Sequence, residues 1–304
     1  MAVNGAIAIG LVAGGAGCSA PSRNVPEVVR EAVGSVMAMQ GIAQVTVERR
    51  GSVTRRPAEN FGQRRRPQPT TIAVDVSLDE RLEPDAAGEV ARAAFSTLTR
   101  DAAVLHDDQG ITLILAFRVQ DAQEEGAATT DPCGAVTATD AVEIASTGSS
   151  QPDDVADATV DAFVLRAAGA SHVSVGASTG PDGELAGASA VAPSAAALPR
   201  LAITAVELDR PVTLAAPGAR YGQTYSPPDT DAVALVVSAS QQPGVVCAEY
   251  LAQEHHLRVH TDLDAGSSAR GGLQGWLEQH KNEQSAGSSW SYALVDAPGD
   301  TPAD

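Results

Sequence analysis

The first legible stretch of the chain is a stripe of apolar residues at helical spacing. Val28, Val29, Ala32, Val33, Val36 and Met37 recur every three or four positions. Asn24 stands where an N-cap belongs, Pro26 falls in the first turn, and Glu27 takes the capping-box position. Gly41 ends the pattern, and Ile42 to Glu48 reads as a strand. Further on, Ile72, Val74, Val76 and Leu78 alternate with Ala73, Asp75, Ser77 and Asp79. That is the two-residue period of a strand with one wet face. Pro84 opens a second helix, whose stripe is Ala87, Val90, Ala91, Ala94, Phe95 and Leu98. Ile111, Leu113, Leu115, Phe117 and Val119 give a third strand. The order α-β-β-α-β packs naturally as two helices on one face of an antiparallel sheet.

The C-terminal part repeats this order in outline. Ala232 to Ala239 is helix-like, Gly244 takes the part of Gly41, and Val245 to Tyr250 is strand-like. Leu257, Val259 and Leu263 mark the next strand. Leu273, Trp276, Leu277 and His280 share a helical face, and Trp290, Tyr292 and Leu294 alternate in a last strand. A divergent internal duplication is the expectation. The middle is less periodic. Ala135 to Ala145 reads as a strand, Val155 to Ala168 as a helix, and His172 to Ser178 and Leu201 to Leu208 as strands. The Pro-, Gly- and Ser/Thr-rich run Ala215 to Asp231 reads as a loop. The predicted class is α+β, built from two-layer, ferredoxin-like α-β-β-α-β modules with helices on one face. The expected divisions are 1–23 (leader and tether), 24–120 (first module), 121–152 (linker), 153–215 (middle segment), 216–297 (second module) and 298–304 (tail).

Composition narrows the setting. Aromatic residues make up only 3% of the 304, so Ala, Val, Leu and Ile must build the core. A net charge of −18 argues against nucleic-acid binding, which needs a positive field. At the N-terminus, Ala2 to Gly17 carries no charge, and Ala6 to Ala13 is apolar. That run is too short to span a bilayer but fits the apolar region of a signal peptide. Gly15-Ala16-Gly17-Cys18-Ser19 resembles the lipobox of bacterial envelope lipoproteins. Gly15 replaces the usual Leu, and no Lys or Arg precedes Arg23. The resemblance covers about the first twenty residues. It implies export, lipid on Cys18, attachment to the outer face of the cell membrane, and an envelope component or protein as partner. With Cys18 so used, Cys133 and Cys247 remain as a pair able to form one disulfide in an oxidising compartment. Closing so long a loop is worth about 4–5 kcal/mol on the chain-entropy account. Two separate buried thiols are the alternative.

Three features bear on chemistry. Gly176-Ala177-Ser178-Thr179-Gly180 matches G-x-S-x-G and follows a predicted strand. It resembles the nucleophile elbow of α/β-hydrolases. That resemblance implies Ser178 as nucleophile, Asp209 or Asp231 as orienting acid, and His255, His256 or His260 as base. Pro181 and Gly183 stand where the elbow's helix should begin, so the local residues favour a turn. A second feature is the arginine cluster Arg49, Arg50, Arg55, Arg56, Arg64, Arg65 and Arg66, on a loop with Pro and Gly. Guanidinium groups there suit phosphate or carboxylate on an envelope anion or partner, or simply balance an acidic surface. Third, His256, Arg258, His260 and Asp262 share one face of a strand. The central Arg opposes a metal between them, and an exposed polar strand face is the expectation. No cofactor or metal is implied. The leading expectation is a binding or scaffolding protein of the envelope, and a serine hydrolase using Ser178 with Asp209 and His256 is the alternative.

Overall fold

The computed structural model describes residues 25–50, 70–102, 105, 111–119, 141–145, 150–177, 187–222, 225–283 and 290–297. The helices are α1 (Glu27–Met37), α2 (Pro84–Thr99), α3 (Pro152–Ala167), α4 (Leu198–Glu207), α5 (Thr230–Ser240) and α6 (Ser268–Glu283). The strands are β1 (Ile42–Arg50), β2 (Thr70–Leu78), β3 (Ile111–Val119), β4 (Ala141–Ala145), β5 (His172–Gly176) and β6 (Ala188–Val191). They continue with β7 (Val212–Ala216), β8 (Ala219–Gly222), β9 (Val245–Leu251), β10 (His256–Thr261) and β11 (Ser291–Asp296). All eleven form one sheet, in the order in which the chain supplies them. At the usual strand spacing it is about 48 Å across.

The protein is thus α+β, as expected, with two layers. The modules share one sheet. Hairpins such as β1–β2, β5–β6 and β9–β10 are antiparallel. The strands joined through a helix, such as β2–β3, β6–β7 and β8–β9, are parallel. The repeating unit is therefore a helix followed by a hairpin. The strand order is sequential, unlike the interleaved order of a ferredoxin-like module. Successive helices touch: α1 packs on α2, α2 on α3, α3 on α4 and α4 on α5. They must lie on one face. Successive parallel pairs point in opposite directions while the sheet advances one way, so the crossovers alternate in hand. Most βαβ crossovers are right-handed, and every second one here departs from that rule.

One face of each strand fills the core. Ile72, Val74, Val76, Phe117, Ile144, Val173, Leu214, Leu257 and Val259 are buried beneath the helices. Small side chains let the helices approach closely. A Cβ on Gly88 of α2 would lie 2.7 Å from Val160 Cγ2 and 3.1 Å from the Ala156 carbonyl oxygen on α3. The other register row is made of polar residues. Ser77, Arg118, Glu143, Ser174, Ser189 and Thr213 follow one another across β2 to β7 in register.

The internal similarity is geometric as well as sequential. α1 and α5 each have 11 residues, and α2 and α6 each have 16. Gly41 and Gly244 both adopt positive φ, at 91° and 74°. Their carbonyls accept from the Asp79 and Asp262 amides respectively. A register shift follows each glycine, between Ile42 and Gln44 on β1 and opposite His260 and Thr261 on β9.

Local expectations are corrected at several points. Leu201 to Leu208, predicted as a strand, lies mostly in helix α4. Leu198, Leu201, Ala202 and Ala205 are its buried stripe, and Pro199 sits in its first turn. The segment Ala215 to Asp231, predicted as a loop, holds the end of β7, all of β8 and the start of α5. Pro26, rather than Asn24, is the N-cap of α1, with no side-chain cap hydrogen bond. Asn24 lies outside the described residues, as do 135–140 of the strand predicted from Ala135.

Candidate functional site

Among the described residues, Asp209 and His256, the acid and base singled out from sequence, do not converge. Ser178 lies outside the described residues. β5 ends at Gly176, and the next described element is β6, its antiparallel neighbour rather than a helix. Asp209 adopts φ 50° just after α4. Its amide donates to the Val206 carbonyl at 3.0 Å and the Arg210 amide to that of Ala205 at 3.2 Å. This is a helix C-terminal cap. His256 opens β10, and its Nδ1 shares a hydrogen bond with Ser291 Oγ at 2.7 Å. Asp209 precedes β7 and His256 begins β10, three strand spacings or about 14 Å apart. The structure does not bring this acid and base together.

His256, Arg258 and His260 share the polar face of the sheet, while Asp262 falls beyond the strand. Among the described residues no group of three His, Cys, Asp or Glu is placed to hold a metal. Cys247, on the same side as His260, is fully buried and disulfide-bonded. Its partner lies outside the described residues, as do Cys18 and Cys133. Arg49 and Arg50 end β1. Arg55, Arg56, Arg64, Arg65 and Arg66 lie outside the described residues.

A site that sequence reading missed sits at the C-terminal ends of the parallel strands β8 and β9, where α5 begins. Crevices at such carboxyl ends are the usual ligand positions in open α/β sheets. The cavity is about 240 Å³ and is lined by Tyr221, Tyr225, Asp229, Tyr250, Gln253 and His255 among others. Three of the four tyrosines in the chain meet there. Tyr221 and Tyr250 are register partners, so their rings lie side by side, 5.8 Å apart and within 5° of parallel. The Tyr221 hydroxyl accepts from the Asp229 amide at 3.0 Å. The Asp229 carboxylate in turn accepts from the Asp231 and Ala232 amides, at 2.9 and 3.2 Å, as the N-cap of α5. The Tyr250 hydroxyl stands 3.4 Å from His255 Nδ1. His255 is held in the turn between β9 and β10 at φ 48°. Tyr225 forms the rim and is 79% exposed.

Burial, then the Asp229 carboxylate, then Tyr221 push the Tyr250 hydroxyl up to about 12. At neutral pH it is an uncharged phenol that can give or accept a hydrogen bond. The crevice therefore offers aromatic surface, neutral donors and acceptors, and one carboxylate. Among the described residues, its lining contains no Arg or Lys.

The clustering had one readable sign. Pro217-Gly218, with Gly218 at φ 73°, is a two-residue turn signal between Ala216 and Ala219. It marks the β7–β8 hairpin that carries Tyr221. No helix among the described residues is long and apolar enough to cross a membrane. Comparison of the chain with protein-family models, with curated proteins and with solved structures finds no match.

Proposed function

We propose that this chain is an exported protein of the bacterial cell envelope, held at the outer face of the membrane by lipid on Cys18. Its body binds or scaffolds rather than catalyses. The leader ending at Cys18 supports the location. The observation that carries the binding role is the tyrosine crevice between β8 and β9. Three of its polar groups are accounted for by the fold itself: Asp229 caps a helix, Tyr221 accepts from the backbone, and Tyr250 is an uncharged phenol. Such a preformed, partly apolar cleft with a few fixed polar groups is the form of a small-ligand site. Its chemistry suits a small polar ligand that is neutral or cationic. An ammonium group gains from aromatic faces and from the carboxylate, whereas an anion finds no Arg or Lys among the described lining residues.

Thermal unfolding with choline chloride, N-acetylglucosamine or inorganic phosphate tests the reading. Choline or the sugar should raise Tm, phosphate should not, and the rise should vanish in Tyr225→Ala and Gln253→Ala. A rise with phosphate alone, or one that survives both substitutions, would discard the site. Intact mass from membranes, with and without globomycin, tests the anchor. A mature chain that does not begin at a diacylated Cys18 removes it.

A further inference from the structure

The two edges of the sheet are built differently. β1, at one edge, carries a register shift between Ile42 and Gln44 and ends in Glu48, Arg49 and Arg50. Bulges and charges are the usual means of keeping an edge from pairing. β11, at the other edge, runs Ser291-Tyr292-Ala293-Leu294-Val295 before Asp296. That stretch has no charge, no Pro and no Gly, and it pairs without a register shift along β10. Each of α1 to α5 leads into two strands that pair as a hairpin; among the described residues, α6 leads into β11 alone. The next place in the alternation is antiparallel to β11.

Among the described residues, no strand pairs with the outer side of β11. The amides of Ser291 and Ala297 donate inward, to the carbonyls of His255 and Thr261, each at 2.9 Å. By the two-residue period of a strand, Ala293 and Val295 also turn inward, and Tyr292 and Leu294 present their N–H and C=O groups outward.

We infer that β11 pairs with β11 of a second copy of this chain, antiparallel, around a twofold axis at Ala293. The period of two restricts the register, because residues opposite one another must share a face. Centred on Ala293, the pairing sets Tyr292 against Leu294 of the second copy on the helix side. It sets Ser291 against Val295 of the second copy on the other side. Every apolar residue stays on its own face, and no like charges meet. Tyr292 and Leu294 are the outward-bonding residues, so each such pair exchanges both main-chain hydrogen bonds. Ala293 then faces its counterpart in a non-hydrogen-bonded pair, with Cα atoms about 4.5 Å apart. The contact is isologous, so assembly closes at two subunits and two β1 edges remain outside.

The register makes a positional test possible. Light scattering after size exclusion should give twice the chain mass. Air oxidation of Ala293→Cys, with the native disulfide intact, should yield a covalent dimer on a non-reducing gel, because that spacing lies within disulfide reach. Ser291→Cys should not, because its own counterpart lies several residues along the strand. Leu294→Lys should give the monomer mass with an unchanged circular dichroism spectrum. A monomer mass for the wild type at every concentration up to the solubility limit would overturn the pairing. So would a dimer in which Ser291→Cys cross-links as readily as Ala293→Cys, or one that Leu294→Lys leaves intact. Ligand binding at the tyrosine crevice is read by different residues and fails or succeeds independently.

Discussion

At the scale of single residues, the most consequential buried charge is on α3. Asp161 Oδ2 pairs with Arg210 Nε, and both side chains are largely buried. Burial raises the Asp161 carboxyl above its ordinary value, against the pull of Arg210 and with a small push from Asp157. The sign follows. The folded state holds the Asp161 proton to higher pH than the unfolded chain does, so this group's contribution falls as pH rises above the usual carboxylate range. Removing Arg210 takes away what restrains the shift. Arg210→Met should cost about 3–5 kcal/mol at neutral pH, as expected for a buried charge left alone. The loss should shrink as pH is lowered towards the carboxylate range. Urea unfolding across that range checks both statements, and Asp161→Leu with Arg210→Met should recover much of the loss.

At the scale of elements, the glycines separate into those that are needed and those that are not. Gly88 sits where α2 meets α3, with the Ala156 carbonyl and Val160 against the place a side chain would occupy. Gly244 holds φ 74°, and a Cβ there would lie 2.4 Å from Leu263. By contrast Gly271, Gly272 and Gly275 lie within α6 with open space around them. Replacing each of these three by Ala should stabilise the protein by roughly 0.5–1 kcal/mol, since glycine costs that much inside a helix. Gly244→Ala should instead destabilise by about 1–3 kcal/mol, from strain at positive φ. Chemical denaturation of the four variants should show opposite signs.

Legibility from sequence divides at the same scale. α1, α2, β2, β3 and the C-terminal elements were readable, because each buries a single stripe whose spacing matches its own period. α4 is not: Ile203, Thr204 and Val206 are β-branched, so local preference argues for a strand. Burial of Leu198, Leu201, Ala202 and Ala205 against the sheet overrides it. The crevice was hidden for a related reason. Tyr221 and Tyr250 are 29 positions apart in sequence and meet only because β8 and β9 pair in parallel. The run of Pro, Gly and Ser/Thr around Tyr221 reads as a connection, and Tyr250 falls in a strand predicted apart from it. The G-x-S-x-G match is a local signal, and Pro181 and Gly183 stand where the helix that would give it meaning should begin.

For the molecule as a whole, the disulfide at Cys247 is the covalent tie found among the described residues. It is placed on a strand near the C-terminal edge and fully buried. Reduction, or Cys247→Ala, should lower stability by up to about 4–5 kcal/mol, the chain-entropy worth of so long a loop. Comparison of unfolding midpoints with and without dithiothreitol measures this. An unchanged midpoint would mean that non-covalent packing alone sets the stability.

The sequential strand order has a consequence for how the molecule comes into being. Each strand finds its partner among its immediate predecessors, and each helix from α2 to α5 packs on the one before it. No early segment waits for a distant one to complete its layer. Assembly is then a front that advances along the chain, as in repeat proteins stabilised by nearest neighbours. Short-range pairing of this kind keeps the loop-closure cost of each step small. A chain emerging N-terminus first can lay down the sheet in the order of delivery, and the growing edge is always the newest strand. β11 is where that front comes to rest among the described strands.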